Sequence, residues 1–152
     1  MTEDAVQTLI AGIAAWVSAR PDLKALAVVG SWARGTARPD SDLDLVILAT
    51  DLQRYRADQT WLGDLTLPKP YRVASWRSAD YGTAWSCHVG LAPSAELEIT
   101  FCNPAWVCTD PIDNGTRRVV TAGFRIILDR EQRLARLREA IEETGEAHGK
   151  TR

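Results

Sequence analysis

The chain has 152 residues, of which 45% are hydrophobic and 25% charged, so it holds enough apolar material for one ordinary globular core. Its formal net charge of -2 argues against extended nucleic-acid binding, which needs a strongly basic surface. The acidic start MTEDAVQTL is not typical of a signal peptide, and the apolar run Ile10 to Val17 is far short of the roughly 20 residues of a membrane span. We therefore expect a cytoplasmic protein that does not enter a membrane. Three cysteines without metal-ligand spacing are expected to be reduced and buried: Cys87, Cys102 and Cys108.

The first half of the chain predicts helices and two buried strands joined by a polar loop. Apolar residues recur at helical spacing near the N-terminus, where Thr2 is placed to cap the helix. The two strands are short apolar runs on either side of the loop. The expected elements are a helix over Glu3–Ala19, strands over Leu23–Val29 and Asp42–Ala49, a short helix over Trp32–Gly35 between them, and a surface helix over Asp51–Leu62 whose Trp61 and Leu62 turn inward.

The second half predicts antiparallel strands followed by helices. Pro68 and Pro70 break the chain before three strands that turn-forming residues join, so two hairpins are expected. The expected elements are strands over Tyr71–Trp76, Thr83–Ala92 and Glu96–Cys102, a helix over Pro111–Thr121, a strand over Phe124–Leu128 and a helix over Arg130–Glu143. Residues 1–152 are expected to form one domain, with the polar tail from about residue 145 to residue 152 frayed.

Asp42 and Asp44 lie one residue apart at the start of the second strand, which is otherwise Leu, Val and Ile. Side chains at i and i+2 of a strand point to the same face, so the two carboxylates project side by side. Carboxylates this close repel each other unless a cation or a proton lies between them. Hard oxygen ligands without a nearby His or Cys suit Mg²⁺, so the pair predicts a magnesium site, although Asp-x-Asp alone is also common at solvated strand ends.

Gly30 and Ser31 follow the first strand directly and predict a phosphate-binding turn. Glycine permits close approach of the backbone, and a serine hydroxyl with free N–H groups at a helix start binds anions. The loop that follows contains Arg34 and Arg38, either of which can donate charge-assisted hydrogen bonds to phosphates. A solvated loop explains Arg38 equally well. The segment is not a Walker A loop, because it lacks the Gly-Lys-Ser/Thr ending.

A third carboxylate is expected, because two-metal phosphoryl-transfer sites use more than two anionic ligands. Glu96 and Glu98 lie on one face of an otherwise apolar strand. Glu98 lies between Leu97 and Ile99 and so deeper in the strand. A buried carboxylate without a partner is costly, and a bound metal or a shared proton would explain one at this position, so Glu98 is the preferred candidate. Glu96 is the alternative. His88, in the preceding strand, is expected to be a packed or hydrogen-bonded residue rather than a catalytic one.

The segment GSWARGTARPDSDLDL, from Gly30 to Leu45, resembles the signature of the DNA polymerase β-type nucleotidyltransferase superfamily. The resemblance is to its small bacterial branch, whose members include aminoglycoside nucleotidyltransferases and the minimal nucleotidyltransferases. It is strong over residues 28–48 and looser beyond. The resemblance implies an α+β fold with a mixed, mostly antiparallel sheet and helices packed on one side. Trp32 departs from the pattern, since many relatives have a polar or basic residue there.

The resemblance also implies a role for each candidate residue. The expected nucleotide-binding residues are Gly30, Ser31, Arg34 and Ser41, and the expected metal ligands and catalytic residues are Asp42, Asp44 and Glu98. Gly30 and Ser31 would hold the β- and γ-phosphates of a nucleoside triphosphate, by default ATP. The aspartates would bind two Mg²⁺ ions, and Glu98 would be a further ligand or a base toward an acceptor hydroxyl.

Three functions fit this signature. The first is an enzyme that transfers a nucleoside monophosphate, AMP by default, to a hydroxyl of a small molecule or a protein and releases pyrophosphate. The second is an antitoxin-like minimal nucleotidyltransferase that pairs with a helical toxin and modifies it. The third is a non-catalytic binding module, which the intact Gly-Ser and Asp-x-Asp motifs disfavour. Because the chain has room for only one terminal helix, the acceptor site is expected to be shallow, shared across a homodimer, or completed by a partner protein.

Overall fold

The computed structural model describes the backbone of residues 1–150 and the side chains of residues 1–145. The elements are α1 Glu3–Ser18, β1 Leu23–Val29, α2 Ser31–Arg34, β2 Leu43–Ala49, α3 Gln53–Ala57, a 3-10 helix Gln59–Asp64, β3 Arg72–Asp80, β4 Ala84–Ala92, β5 Ala95–Cys102, a 3-10 helix Pro104–Val107, α4 Asn114–Ala122, β6 Phe124–Asp129 and α5 Arg133–Lys150. In this described part, no helix combines the length and the apolar character that a bilayer crossing needs.

The six strands of the described residues form one mixed sheet in the order β3-β4-β5-β2-β1-β6. The central neighbours β2 and β5 are parallel, and the other neighbouring pairs are antiparallel. The two predicted hairpins, β3-β4 and β4-β5, are both present. The predicted α+β class with a mostly antiparallel sheet is therefore confirmed.

Helices cover both faces of this sheet, so the prediction that they pack on one side is wrong. Alternate residues of a strand point to opposite faces, and β2 uses both. Leu45 and Ile47 lie in one core cluster with the apolar stripe of α1. Val46 packs in a second cluster with residues of α4 and α5, and Leu48 packs with Leu134 of α5 in a third. A strand that is buried on both faces needs apolar residues at every position, which explains the uninterrupted apolar run after Asp44.

The predicted helix over Asp51–Leu62 is broken into α3 and a short 3-10 helix. Asp58 adopts an extended conformation between them, and its carboxylate accepts a hydrogen bond from the N–H of Thr60 at 3.0 Å. An aspartate that caps a new helix start in this way ends the preceding one. Trp61 and Leu62 are buried, as predicted.

The last helices start later than predicted, because aspartates cap them. Asp113 accepts from the N–H of Thr116, so α4 begins after Asp113 rather than at Pro111. Asp129 accepts from the N–H groups at the start of α5, which then continues beyond the predicted end at Glu143. Residues 151–152 of the predicted frayed tail lie outside the described residues.

The cysteines differ in burial. Cys87 and Cys102 are buried free thiols, as predicted, whereas Cys108 is exposed. Cys108 follows the 3-10 helix Pro104–Val107 in a loop rather than lying in a strand, which explains its exposure.

Candidate active site

The site lies where β1, β2 and β5 are neighbours. Asp44 is the register partner of Val29 on β1 and of Glu98 on β5. Gly30 ends β1 with a φ of 72° and a ψ of -151°, a conformation that suits glycine. A Cβ on residue 30 would lie 2.7 Å from Oδ2 of Asp44, so only glycine lets the turn come this close to the carboxylate.

A shallow groove of about 510 Å³ lies on the α2 side of Asp44. Its lining residues are Gly30, Ser31, Arg34, Asp40, Ser41, Asp42 and Asp44. The groove therefore brings together both aspartates and every residue that the sequence predicts to bind nucleotide.

Local hydrogen bonds shape this groove. Ala33 and Arg34 donate their N–H groups back to the Gly30 carbonyl, which folds α2 directly after the glycine. The first N–H groups of a helix have no acceptor within the helix, so those at its start are available to an anion. The Ser41 hydroxyl accepts from the N–H of Arg38 at 2.8 Å, and its own proton remains to be donated.

A larger cleft of about 750 Å³, here called the main cleft, lies on the other side of Asp44. Gly30 and Asp44 line both the groove and the main cleft, so the two are continuous. Glu98 lines only the main cleft of these two. The main cleft is also lined by Ser86 and Thr100 of the sheet, whose hydroxyl oxygens are 2.7 Å apart, and by Asn114 and Arg118 of α4.

Asp44 is the electrostatic centre of the site. Burial, together with the negative charges of Glu98 and Asp42, raises the pKa of Asp44 from 3.8 to about 6, against the opposing effect of Arg34. Burial and the two neighbouring carboxylates therefore disfavour the charged form of Asp44 in the protein alone. A bound cation removes the penalty, so the site is arranged to be stabilised by positive charge.

The donor set suits a hard divalent metal that shares its coordination with substrate. Within the described part of the chain, no three His, Cys, Asp or Glu side chains form a ready-made metal cage. Asp42 is exposed just before β2, and Asp44 is half-buried beside Glu98. Mg²⁺ is commonly held by one or two carboxylates and completes its six oxygen ligands with water and substrate phosphates. These residues therefore fit Mg²⁺ bound together with a nucleotide.

The two candidates for the third carboxylate are placed differently. Glu98 pairs with Asp44 across the strands and contributes like charge to it. Glu96 is exposed and lines a separate pocket of about 220 Å³ together with Asp42. The geometry favours Glu98, the preferred candidate of the sequence, and the catalytic role of either residue stays a prediction.

Several residues of the main cleft were missed by sequence reasoning. Strand β4 alternates buried apolar residues with Ser86 and His88, and this period of two indicates a polar face that continues the one carrying Glu98. That signal was available in the sequence. Asn114 and Arg118 had no such signal, because α4 reaches the cleft only through the tertiary packing of the chain.

Comparison with known proteins agrees with this architecture. Residues 13–75 match the family model of the nucleotidyltransferase domain. The matched segment includes Gly30, Ser31, Asp42 and Asp44 and ends before Glu98. No curated protein matches the chain.

Solved structures also align with this chain at low sequence identity. An aminoglycoside 6-adenyltransferase from Bacillus subtilis aligns with a TM-score of 0.50 and 11% identity, over 66% of this chain and 35% of that chain. A nucleotidyltransferase-like protein from Exiguobacterium sibiricum aligns with a TM-score of 0.44 and 15% identity, over 92% of this chain and 38% of that chain. The chain thus spans little more than a third of the length of either protein.

The family match over residues 13–75 supports the resemblance to a nucleotidyltransferase domain that the signature predicted. Members of this family generally use a nucleoside triphosphate and divalent metal ions.

Proposed function

We propose that the protein transfers a nucleoside monophosphate, AMP from ATP, to a hydroxyl acceptor in a Mg²⁺-dependent reaction that releases pyrophosphate. The observation that carries the proposal is the convergence of the Gly30 turn, Asp44 and Glu98 on three neighbouring strands. A phosphate-binding turn beside a carboxylate pair is what in-line nucleotidyl transfer needs. We further propose that residues 1–152 act as one catalytic domain in the cytoplasm.

The groove residues would bind the triphosphate. Ser31 would donate its hydroxyl and its N–H to the β- and γ-phosphates, and Arg34 would add a charge-assisted contact. Arg34 is fixed for this role, because its guanidinium donates to the carbonyl of Ala122 at 3.1 Å while its charge reaches Asp44. Asp42, Asp44 and Glu98 would hold the Mg²⁺ ions, with Ser41 at the edge of the groove.

The reaction would then take place at Asp44, where the groove and the main cleft meet. The acceptor hydroxyl oxygen attacks the α-phosphorus, the bond from that phosphorus to the bridging oxygen breaks, and pyrophosphate leaves with both bond electrons. Glu98 accepts the hydroxyl proton, since its carboxylate faces the cleft beside Asp44. When bound, Mg²⁺ supplies positive charge to the attacking and leaving oxygens.

Pyrophosphate release tests this proposal directly. The purified protein is incubated with Mg²⁺ and each of the common NTPs, together with a panel of polyols, sugars and hydroxyl-bearing peptides. We expect acceptor-dependent pyrophosphate release that is lost on removal of Mg²⁺ and in Asp42→Asn and Asp44→Asn. Absence of Mg-nucleotide binding in the wild type, together with two variants that differ from it only in stability, would contradict the proposal.

A protein acceptor or partner is a second candidate, favoured by one observation. The large hydrophobic side chains that stand exposed in the described chain, Trp76 at 47% and Tyr81 at 64%, both lie on the β3 side of the site. Tyr81 lines the main cleft, and Trp76 lines the neighbouring pocket that contains Asp42. Exposed aromatics beside a cleft are typical of protein-binding surfaces. A toxin-like partner or a second copy of the chain would cover them.

Transfer of labelled AMP to proteins distinguishes this candidate. Incubation with α-labelled ATP and proteins expressed from neighbouring genes would label one polypeptide band if the acceptor is a protein. Trp76→Ser and Tyr81→Ser would reduce that labelling, and Trp76→Ser, which lies outside the main cleft, would leave small-molecule transfer unchanged. Labelling of small molecules alone, with no labelled polypeptide in the wild type, would rule the protein acceptor out.

A further inference from the structure

A row of polar side chains crosses the sheet from Asp44 to its edge. Asp44 on β2 pairs with Glu98 on β5, Glu98 pairs with His88 on β4, and His88 pairs with Arg77 on β3. Residues that are direct partners in neighbouring strands share a face of the sheet. The imidazole of His88 therefore stands beside Glu98, on the side away from Asp44.

His88 contacts Glu98 directly. Nδ1 of His88 lies 3.7 Å from Oε2 of Glu98, and both side chains are partly covered, with 28% and 31% of their surfaces exposed. This separation is longer than a hydrogen bond, and a shift of about 0.7 Å brings the two atoms to hydrogen-bond distance. Among the basic side chains of the described residues, only that of His88 lies within 4.0 Å of the Glu98 carboxylate.

Glu98 needs such a partner, because its other strand neighbour repels it. Asp44 and Glu98 are adjacent carboxylates, and their like charges push the two side chains apart. A long glutamate side chain has several rotamers, and repulsion alone leaves it free to turn into solvent. A donor on the opposite side gives Glu98 one preferred orientation within the main cleft.

Packing does not explain His88. Its strand neighbours Cys87 and Val89 point to the other face of the sheet, where they are fully buried in the main core. The imidazole instead lines the small pocket that also contains Asp42 and Arg77. A residue in this position contributes little to the core and is available to hold a neighbouring carboxylate.

We infer that His88 is a positioning residue that holds Glu98 in place for metal and acceptor binding, and this inference rests on the proposed function. His88 itself touches neither nucleotide nor acceptor. Partners that orient a metal-binding side chain typically change metal affinity by about 10-fold to 100-fold when they are removed. The role is thus measurable without knowledge of the acceptor.

Metal counting tests the inference. Mn²⁺ replaces Mg²⁺, α,β-methylene-ATP replaces the substrate, and free Mn²⁺ is followed by electron paramagnetic resonance. We expect the wild type to bind two ions per chain, as two-metal sites do, and Glu98→Gln to lose one of them. His88→Leu should lower the affinity for that same ion about 10-fold or more and leave the affinity for the other ion unchanged.

Matched variants separate positioning from structure. The side-chain amide of asparagine occupies the place of the Nδ1 atom, so His88→Asn should retain affinity within about threefold of the wild type. His88→Leu combined with Glu98→Gln should bind no more weakly than Glu98→Gln alone, because both changes act through one carboxylate. Thermal unfolding confirms that each variant is folded, and His88→Ser replaces His88→Leu if the latter is not.

The outcomes are distinct. Two ions bound by His88→Leu with wild-type affinity, or equal weakening of both ions, would overturn the role of His88 while the proposed function stands. Multiplicative effects in the double variant would also overturn it, since His88 would then act independently of Glu98. A wild-type protein that binds no Mn²⁺ with the nucleotide analogue would overturn both the inference and the proposed function.

Discussion

The two faces of strands β4 and β5 have opposite characters. On one face, Leu97, Ile99 and Phe101 are almost fully buried in the core that α1 covers. On the other, Glu98 and Thr100 are partly exposed and line the main cleft. One strand thus stabilises the fold with every second residue and presents polar chemistry with the residues between.

This difference indicates which residues contribute mainly to stability and which contribute mainly to activity. Phe101 stacks on Tyr55 with ring centroids 4.8 Å apart and meets Trp61 edge-on at 5.1 Å, so it lies at the centre of an aromatic cluster. Asp44 on the opposite face carries a carboxylate that its surroundings disfavour. We expect substitutions on the first face to change stability and substitutions on the second to change activity.

The largest effect is expected at Asp44. Asp44→Asn removes charge from the metal-binding position and should lower nucleotidyl transfer by about 10³-fold or more, because metal ions stabilise both attacking and leaving oxygens. Asp51→Asn is the matched control, since Asp51 is an exposed aspartate beyond the other end of β2. Pyrophosphate release measures both. Equal activity of the two variants would show that the polar face is not the active site.

Removal of the aromatic centre is expected to have the largest effect on stability. Phe101→Ala should lower the free energy of unfolding by about 3–5 kcal/mol, because it deletes a fully buried ring and leaves a cavity. Thr100→Ala, one residue away on the other face, should cost only about 1 kcal/mol for its hydrogen bond to Ser86. Urea denaturation compares them. Similar losses in both variants would contradict the division between faces.

A smaller effect is expected at Gly30. Gly30→Ala places a Cβ 2.7 Å from Oδ2 of Asp44 at a φ of 72°, so it should cost about 1–3 kcal/mol and weaken nucleotide binding. Gly35→Ala is the matched control, because Gly35 also has a positive φ of 78° but has open space around it. It should show a stability loss of about 1 kcal/mol and normal binding. Calorimetric titration with a nucleotide analogue distinguishes the two variants.

The smallest effect concerns pH and the metal-free protein. The pKa of Asp44 is raised from 3.8 to about 6 in the folded protein. Between these pH values the folded state keeps a proton on Asp44 that the unfolded state has lost. The contribution of Asp44 to stability therefore decreases as pH rises through this range. Asp44→Asn removes this dependence, so its stability advantage over the wild type should grow from pH 4 to pH 7. Thermal unfolding in chelator measures it, and added Mg²⁺ with nucleotide should stabilise only the wild type. A constant difference across pH would contradict the raised pKa.

Much of the fold followed from local sequence patterns. Strand β1 has the predicted bounds, and β2 begins one residue after Asp42, since strongly apolar runs define buried strands. Asp58 and Asp113 shifted helix bounds through side-chain hydrogen bonds that hydrophobic periodicity does not reveal. The covering of both sheet faces depends on the path of α4 and α5, which is a tertiary property.

The site was predictable to the extent that its residues lie close in sequence. Gly30, Ser31, Asp42 and Asp44 belong to one turn–loop–strand segment, so their shared groove follows from local geometry. Glu98 is more than 50 residues away and required the parallel pairing of β2 with β5 to become the neighbour of Asp44. His88 reaches the site through that same pairing and one further strand, which explains why it was expected to serve packing or hydrogen bonding only.

The fate of labelled phosphates tests the central claim most directly. The protein is incubated with Mg²⁺, a hydroxyl acceptor panel and ATP that carries label at either the α- or the γ-phosphorus. We predict that the α-label enters the acceptor as AMP and that the γ-label leaves in pyrophosphate, both dependent on Asp44 and Glu98. Transfer of the γ-label to an acceptor, or its release as inorganic phosphate, would contradict nucleotidyl transfer at this site.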